Sequence, residues 1–239
     1  MSYLNTKPLI SGINSGMMNG DLELVIDYPS MVAEKLVSGE IDLGLVPIAV
    51  IPSLKEYHII SDYCIGSNGP VASVCLFSDL PIGEISTILL DYQSRTSVAL
   101  LKILLNEHWK VAPELITGRR GYEEQIVGST GGLVIGDRAF RQRKVSKYIY
   151  DLGAAWKEMT GLPFVFAAWI SNRTLPDGFE AAFNAANQYG IDHLDEVIRQ
   201  NPCADFDLNE YYRSLIKFRL NMPMHEAITL FLSKLKQGS

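Results

Sequence analysis

The chain has 239 residues, with 21 Lys+Arg against 27 Asp+Glu and a formal charge of −6. Apolar residues make up 47% and charged residues 20%, a globular composition that excludes a disordered, highly charged chain. The acidic balance speaks against a general nucleic-acid binder, but a small anion can still sit in a locally positive cleft.

In chain order, a short strand is expected to end at Asn5-Thr6, after which Pro8 can start a helix. Residues 22–26 read as a strand. Pro29 and Ser30 open a helix over 31–37 that Ser38-Gly39 closes. Residues 41–46 are the next strand, and Pro47 starts a helical turn over 48–51. This strand–helix–strand order predicts a parallel sheet with right-handed crossovers. Residues 71–77 alternate apolar and small side chains as a long strand does. Residues 87–90 are a strand that runs through Asp91 to Ser97 into a helix over 98–105. Residues 114–116 and 133–135 read as short parallel strands, with a helix over 122–127 between them. A helix near 154–159 precedes a buried strand over 162–170. From Asp177 onward the spacing is helical: 179–189, 191–200 and 224–236, with breakers at Asn201-Pro202 and Asn221-Met222-Pro223.

The expected architecture is therefore α/β, with a helical tail. If residues 71–77 and 164–170 both cross between lobes, they form a two-stranded hinge with a cleft, as in a bilobal ligand-binding fold. Residues 1–80 plus 171–239 would then be lobe I and residues 81–170 lobe II.

The longest apolar stretches, 43–52 and 162–170, fall well short of the roughly 18 residues a spanning helix needs. Met1-Ser2-Tyr3-Leu4-Asn5 reads as carrying no secretory signal. Cys64, Cys75 and Cys203 are odd in number, without a CxxC, and read as free thiols. His58, His108, His193 and His225 are scattered. A cytoplasmic protein with no metal and no cofactor is the expectation. Glycine-rich nucleotide loops, GxSxG and HExxH are absent from the sequence.

Several segments could carry chemistry. Asn5 and Thr6, at the start of a helix, offer neutral donors that suit a carboxylate, or they only cap that helix. Ser94-Arg95-Thr96-Ser97, between a strand and a helix, gathers hydroxyls and one guanidinium as an anion cradle or as a plain N-cap. Gly66-Ser67-Asn68-Gly69-Pro70 is a polar turn that could hold a hydroxyl or carboxylate. Gly136-Asp137 follows a strand, where open α/β sheets bind ligands, though Asp137 could equally cap a helix. Trp156 to Phe166 could wall a pocket or belong to the core. Arg138, Arg141, Arg143, Lys144 and Lys147 read as a solvated face.

Tyr3-Leu4-Asn5-Thr6-Lys7-Pro8-Leu9, Asp42-Leu43-Gly44-Leu45-Val46-Pro47, Ser67-Asn68-Gly69-Pro70-Val71, Asp91 to Ser97, and Trp156-(x3)-Thr160-Gly161-Leu162-Pro163-Phe164-Val165-Phe166 occur in one order. Together they resemble the chorismate dehydratase family of the futalosine route to menaquinone. The likeness runs to about Asn172. Only Met1 and Ser2 precede Tyr3, fewer residues than family members usually carry there. The resemblance implies a periplasmic-binding-protein type II fold used for catalysis inside the cell. It implies loss of water from chorismate, giving 3-[(1-carboxyvinyl)oxy]benzoate, with no metal or organic cofactor. It places Asn5 and Ser67 at the chemistry. Thr6, Asn68, Gly69, Ser94, Arg95, Thr96, Ser97 and Thr160 would be substrate-binding neighbours.

A dianion with one hydroxyl calls for donors more than for a base. The motifs supply no obvious base, so the substrate's own enolpyruvyl carboxylate is the expected proton acceptor, with His58 or His108 as a weaker choice. Two other readings stay open on the sequence: an enzyme like 1,4-dihydroxy-6-naphthoate synthase, or a non-catalytic cytosolic carboxylate-binding protein. Neither a nucleic-acid nor a membrane partner is expected.

Overall fold

The computed structural model describes residues 3–18, 20 and 22–237. Tyr3 is extended and Leu4–Thr6 is a single 3-10 turn, so the strand expected ahead of Asn5 is not formed there; Met1 and Ser2 lie outside the described residues. Pro8 occupies the first turn of helix α1 (Lys7–Asn14), which buries Leu9, Ile10 and Ile13. Helix α2 (Pro29–Ser38) also starts on proline and ends at Gly39, whose φ of 78° supplies the left-handed C-cap.

The expected strand at 22–26 is an extended run without ladder partners, and Val25 and Ile26 are 46% and 50% exposed. Strand β1 (Leu43–Pro47) spends its ladder on a later strand, β8 (Phe164–Ser171), in antiparallel register. The run at 22–26 faces β1 only across a cavity of about 570 Å³, which both line together with α1 and Trp169. The predicted parallel start of the chain is thus replaced by an antiparallel sheet.

Strand β2 (His58–Ser67) went unread because it alternates poorly. It pairs on both edges, with register shifts between Ile59 and Cys64 and between Ile65 and Gly66. Its outer partner β9 (Ile216–Arg219) is a four-residue strand inside the tail read as wholly helical. The first sheet has the order β1-β8-β2-β9.

The second sheet holds β3 (Val74–Ser78), β4 (Thr87–Leu90), β5 (Glu114–Thr117), β6 (Thr130–Ile135) and β7 (Tyr148–Asp151). Its order is β5-β4-β6-β3-β7; β4 runs parallel to β5 and β6, as the sequence pattern predicts. Helices α3 (Arg95–Leu104), α4 (Asp137–Gln142) and α5 (Leu152–Thr160) follow β4, β6 and β7. The tail forms α6 (Phe179–Asp192), α7 (Leu194–Gln200), the short α8 (Leu208–Glu210) and α9 (Met222–Gln237).

The chain passes between the sheets twice, through residues 68–73 and through α5 and its flanks. The strands flanking those passages, β3 and β8, each belong to one sheet. One apolar cluster spans both sheets, from Cys64 and Ile65 to Leu76 and Ile88. Behind the junction Phe231 of α9 packs edge-on against Phe164 at 5.2 Å and Trp156 at 6.2 Å. The aromatics of residues 156–166 are therefore core. Helices α1 and α6 meet backbone to backbone: any Cβ at Gly12 would collide with the Ala186 carbonyl, and any at Gly190 with that of Pro8. That contact fixes the N-terminus of α1, and with it Asn5.

Candidate functional site

The residues expected to carry chemistry do not ring the large cavity; of them, only Thr6 lines it. They lie instead along a polar seam where the two lobes touch. At one end Ser94 caps α3, its hydroxyl accepting from the Ser97 amide at 3.1 Å and donating to the Ser97 hydroxyl at 2.8 Å. The same turn reaches across, and the Thr96 hydroxyl accepts from the Ala49 amide at 3.1 Å. Both serines and Thr96 are buried.

Further along, the Tyr3 hydroxyl donates to the Gln93 side-chain oxygen. The Tyr3 ring lies against Gly136, where a Cβ would strike it. Gly136 also holds φ 63° and ψ −149°, a backbone region that only glycine adopts freely. The Leu4 amide donates to Asp137 at 3.1 Å, and the Leu4 carbonyl accepts from the Tyr212 hydroxyl at 2.8 Å. The Thr6 hydroxyl donates to the Tyr3 carbonyl at 2.6 Å rather than capping α1. Asn5 lies beside the Tyr211 phenol, which donates to the Ser73 hydroxyl at 2.8 Å.

Ser67 ends β2 at the first passage between lobes. Its hydroxyl is fully buried and has no hydrogen-bond partner among the described residues. It faces the start of α5, and a Cβ placed on Gly153 would lie 2.5 Å from Ser67 Oγ and 2.6 Å from the Gly69 carbonyl. Leaving a buried hydroxyl unpaired costs about 1–3 kcal/mol, so its isolation here calls for an explanation. Asn68 is exposed beside it, and Gly69 turns the chain at φ 117°.

Two expected residues sit apart. Arg95 points outward, paired with Glu34 of α2 at 3.0 Å and 45% exposed. Thr160 closes the far end of α5, its hydroxyl donating to the Trp156 carbonyl at 2.8 Å and accepting from the Leu162 amide. His58, half exposed and paired with Glu56, starts the strand that Ser67 ends, so it sits a full strand away. His108 pairs loosely with Glu158 beyond the C-terminal end of α3, so neither histidine lies on the seam.

Other members were missed by sequence reasoning. Arg138 is not part of a solvated face: it pairs with Asp91 and Glu123 at 2.6 Å each and lies over the Tyr92 and Tyr122 rings. Asp91 and Gln93, together with Gly136 and Asp137 that the sequence singles out, all follow the parallel strands β4 and β6, the side where open sheets bind ligands. Tyr211 and Tyr212 come from the stretch read as plain helix. Burial raises the phenols of Tyr3, Tyr211 and Tyr212 above their ordinary value, so all three stay protonated and act as donors. Burial also raises Asp91, against the pull of Arg138, and Asp137.

The seam offers uncharged hydroxyls, the side-chain amides of Asn5 and Gln93, and backbone N–H groups, with Asp91 held by Arg138 and Asp137 accepting from the Leu4 amide. Such a set can grip an anion and steady a departing oxygen, and neither His58 nor His108 lies on it. Because Ser67 is sealed, a ligand can reach it only when the lobes part. No cluster of His, Cys, Asp or Glu suited to a metal ion occurs among the described residues.

A crystal structure of an Archaeoglobus fulgidus protein superposes with a TM-score of 0.76 at 15% identity, covering 99% of this chain and 94% of that one. The periplasmic aliphatic sulphonate binding protein of Escherichia coli superposes with a TM-score of 0.60 at 14% identity, covering 98% and 84%. These likenesses place the fold among bilobal periplasmic-binding-protein architectures. A chorismate dehydratase from Thermus thermophilus is 31% identical over 189 residues, which is 71% of this chain and 69% of that protein. The profile of a family described as menaquinone biosynthesis matches residues 1–237. With sequence, fold and polar seam in agreement, the chain belongs to the menaquinone-biosynthesis family.

Proposed function

We propose that the chain is a carbon–oxygen lyase that removes water from chorismate and releases 3-[(1-carboxyvinyl)oxy]benzoate. The observation that carries this reading is the sealed, unpartnered Ser67 hydroxyl beside a seam of neutral donors, in a chain 31% identical to a chorismate dehydratase. Chorismate has two carboxylates and one ring hydroxyl. Losing the hydroxyl with the neighbouring ring hydrogen makes an aromatic ring, so the driving force lies in the substrate. The protein has to hold one conformer, exclude bulk water and stabilise the oxygen that leaves.

The substrate's enolpyruvyl carboxylate takes the ring proton, since His58 and His108 lie off the seam and Arg138 holds Asp91. Asn5, fixed by α1, orients that carboxylate. Ser67 donates to the departing oxygen, and the abstracted proton leaves with it as water. Thr6, Asn68, Gly69, Ser94, Thr96 and Ser97 bind the substrate from the two sides. No helix among the described residues is long and apolar enough to cross a membrane. We assign the protein to the cytoplasm, where a biosynthetic enzyme meets this substrate.

The test is incubation with chorismate, followed by ultraviolet absorbance and product mass. A product lighter by one water, and a fall in kcat of about 10²–10³ in Ser67→Ala, are expected from loss of one oxyanion donor. Tight binding without turnover would assign the chain to carboxylate binding instead. Wild-type turnover rates in both Asn5→Ala and Ser67→Ala would remove these residues from the mechanism.

A further inference from the structure

Asp151 ends β7 and caps α5, and its carboxylate does far more than cap. Oδ1 accepts from the Gly153 and Ala154 amides at 3.0 and 3.1 Å. The same carboxylate reaches across to the other passage between lobes, accepting from the Val71 amide at 3.0 Å and the Ala72 amide at 2.7 Å. The Cys75 thiol adds a longer contact of 3.7 Å to Oδ2. Every polar neighbour in these contacts is a donor.

What it holds is strained. Ala72 has φ 62°, a value L-residues other than glycine rarely adopt. The Ser73 amide closes on the Val71 carbonyl at 2.8 Å, which makes residues 71–73 a tight γ-turn. The turn presents the Ser73 hydroxyl to Tyr211, the phenol beside Asn5. On its other side the clamp fixes Gly153, against which Ser67 packs. One carboxylate thereby links both residues assigned to the chemistry.

We propose that Asp151 is a positioning residue of the site. It ties the two passages together and holds the turn at Ala72, so that Ser67 and the Asn5–Tyr211 pair keep their mutual placement. It touches no reacting atom, and the proposal rests on the dehydratase reading above. Without the clamp, Ala72 relaxes to negative φ and Ser73 swings away from Tyr211.

Asp151→Ser separates clamp from cap. Serine is a good N-cap and keeps an acceptor for the α5 amides, but it has no second oxygen to reach Val71 and Ala72. Amide hydrogen exchange reads the clamp directly. Exchange at Val71 and Ala72 should quicken by at least about tenfold in Asp151→Ser, while most of the protection at Ala154 remains. Turnover of chorismate reads the consequence: kcat should fall about 100-fold, as displacement of a site by an ångström does. In a Ser67→Ala background the same change should cost several-fold less than in the wild type, because one of the two groups being positioned is already gone. Asp151→Asn keeps the volume but sets an NH₂ against the same donors, and should fall at least as far.

Equal losses of kcat in both backgrounds would reduce Asp151 to a structural cap and overturn the proposal. So would unchanged protection at Val71 and Ala72. A wild-type protein that leaves chorismate intact sinks the dehydratase reading alone, since amide exchange still decides the clamp.

Discussion

Ser67→Ala should make the protein more stable and nearly inactive at once. The substitution removes one oxygen and keeps the Cβ, so the packing of β2 against β8 and β9 is untouched. That oxygen is fully buried and unpartnered in the folded state, and hydrogen-bonded to water in the unfolded one. Its removal therefore returns about 1–3 kcal/mol. For a domain of this size each kcal/mol moves the melting temperature by about 2–4 °C, so a rise of roughly 2–12 °C is expected. The same oxygen is assigned to the departing hydroxide, so kcat should drop by about 10²–10³. Differential scanning calorimetry and a chorismate assay on one pair of preparations check both numbers. A variant that melts below wild type would show that the hydroxyl is satisfied in the folded protein, and the reasoning from its burial would fall. A stabilised variant with full activity would leave the burial argument standing and refute the catalytic role.

Gly153→Ala sets a gain of about 1 kcal/mol in helix propensity against a Cβ 2.6 Å from the immovable Gly69 carbonyl. Overpacking of that kind costs about 1–3 kcal/mol, so thermal melts should show a net loss. Arg138→Met strips the cation from Asp91, whose side chain is wholly buried, and should cost about 3–5 kcal/mol in urea unfolding. Burial raises the Asp137 carboxyl above its ordinary 3.8. Between those two values the folded state holds the proton that the unfolded state has lost, so this group's contribution falls as pH rises through the window. Asp137→Asn keeps an acceptor for Leu4 and removes that fall; its stability should match wild type below the ordinary carboxyl range and exceed it at neutral pH. Of the three free thiols, Cys64 and Cys75 are buried and Cys203 is partly exposed, so a thiol reagent should modify Cys203 first in the native protein.

Much of the second lobe was legible in the sequence because its elements are short, regular and punctuated. The strands 87–90, 114–117 and 130–135 carry clean apolar runs, and Ser94 announces α3 as an N-cap should. The first lobe resisted for a physical reason. Its central strand β2 is paired on both edges and bulged, so His58 to Ser67 shows no period of two. Residues 22–26 have a strand's composition, but composition cannot supply a neighbour with a free backbone edge. At the site, Asn5, Ser67 and the Ser94–Ser97 turn could be picked out because each sits where an element begins or ends. Arg138 could not, since a run of basic residues looks solvated until Asp91 and Glu123 are seen beneath it. Nor could Asp151 or Tyr211, because their roles depend on segments some 80 and 138 residues away being brought to them.

The glycine-to-carbonyl crossing of α1 and α6 has a further consequence. Helices locked main chain to main chain have no side chains between them to act as a bearing, so they travel as one piece. Asn5 rides on that piece, and Ser67 belongs to the sheet beneath it. When the mouth of the protein gapes, these two should keep company, while Gln93, Ser94 and Asp137 swing off with the opposite half. An incoming dianion would therefore dock first on a ready-made pair of neutral contacts, and the returning half would complete its enclosure.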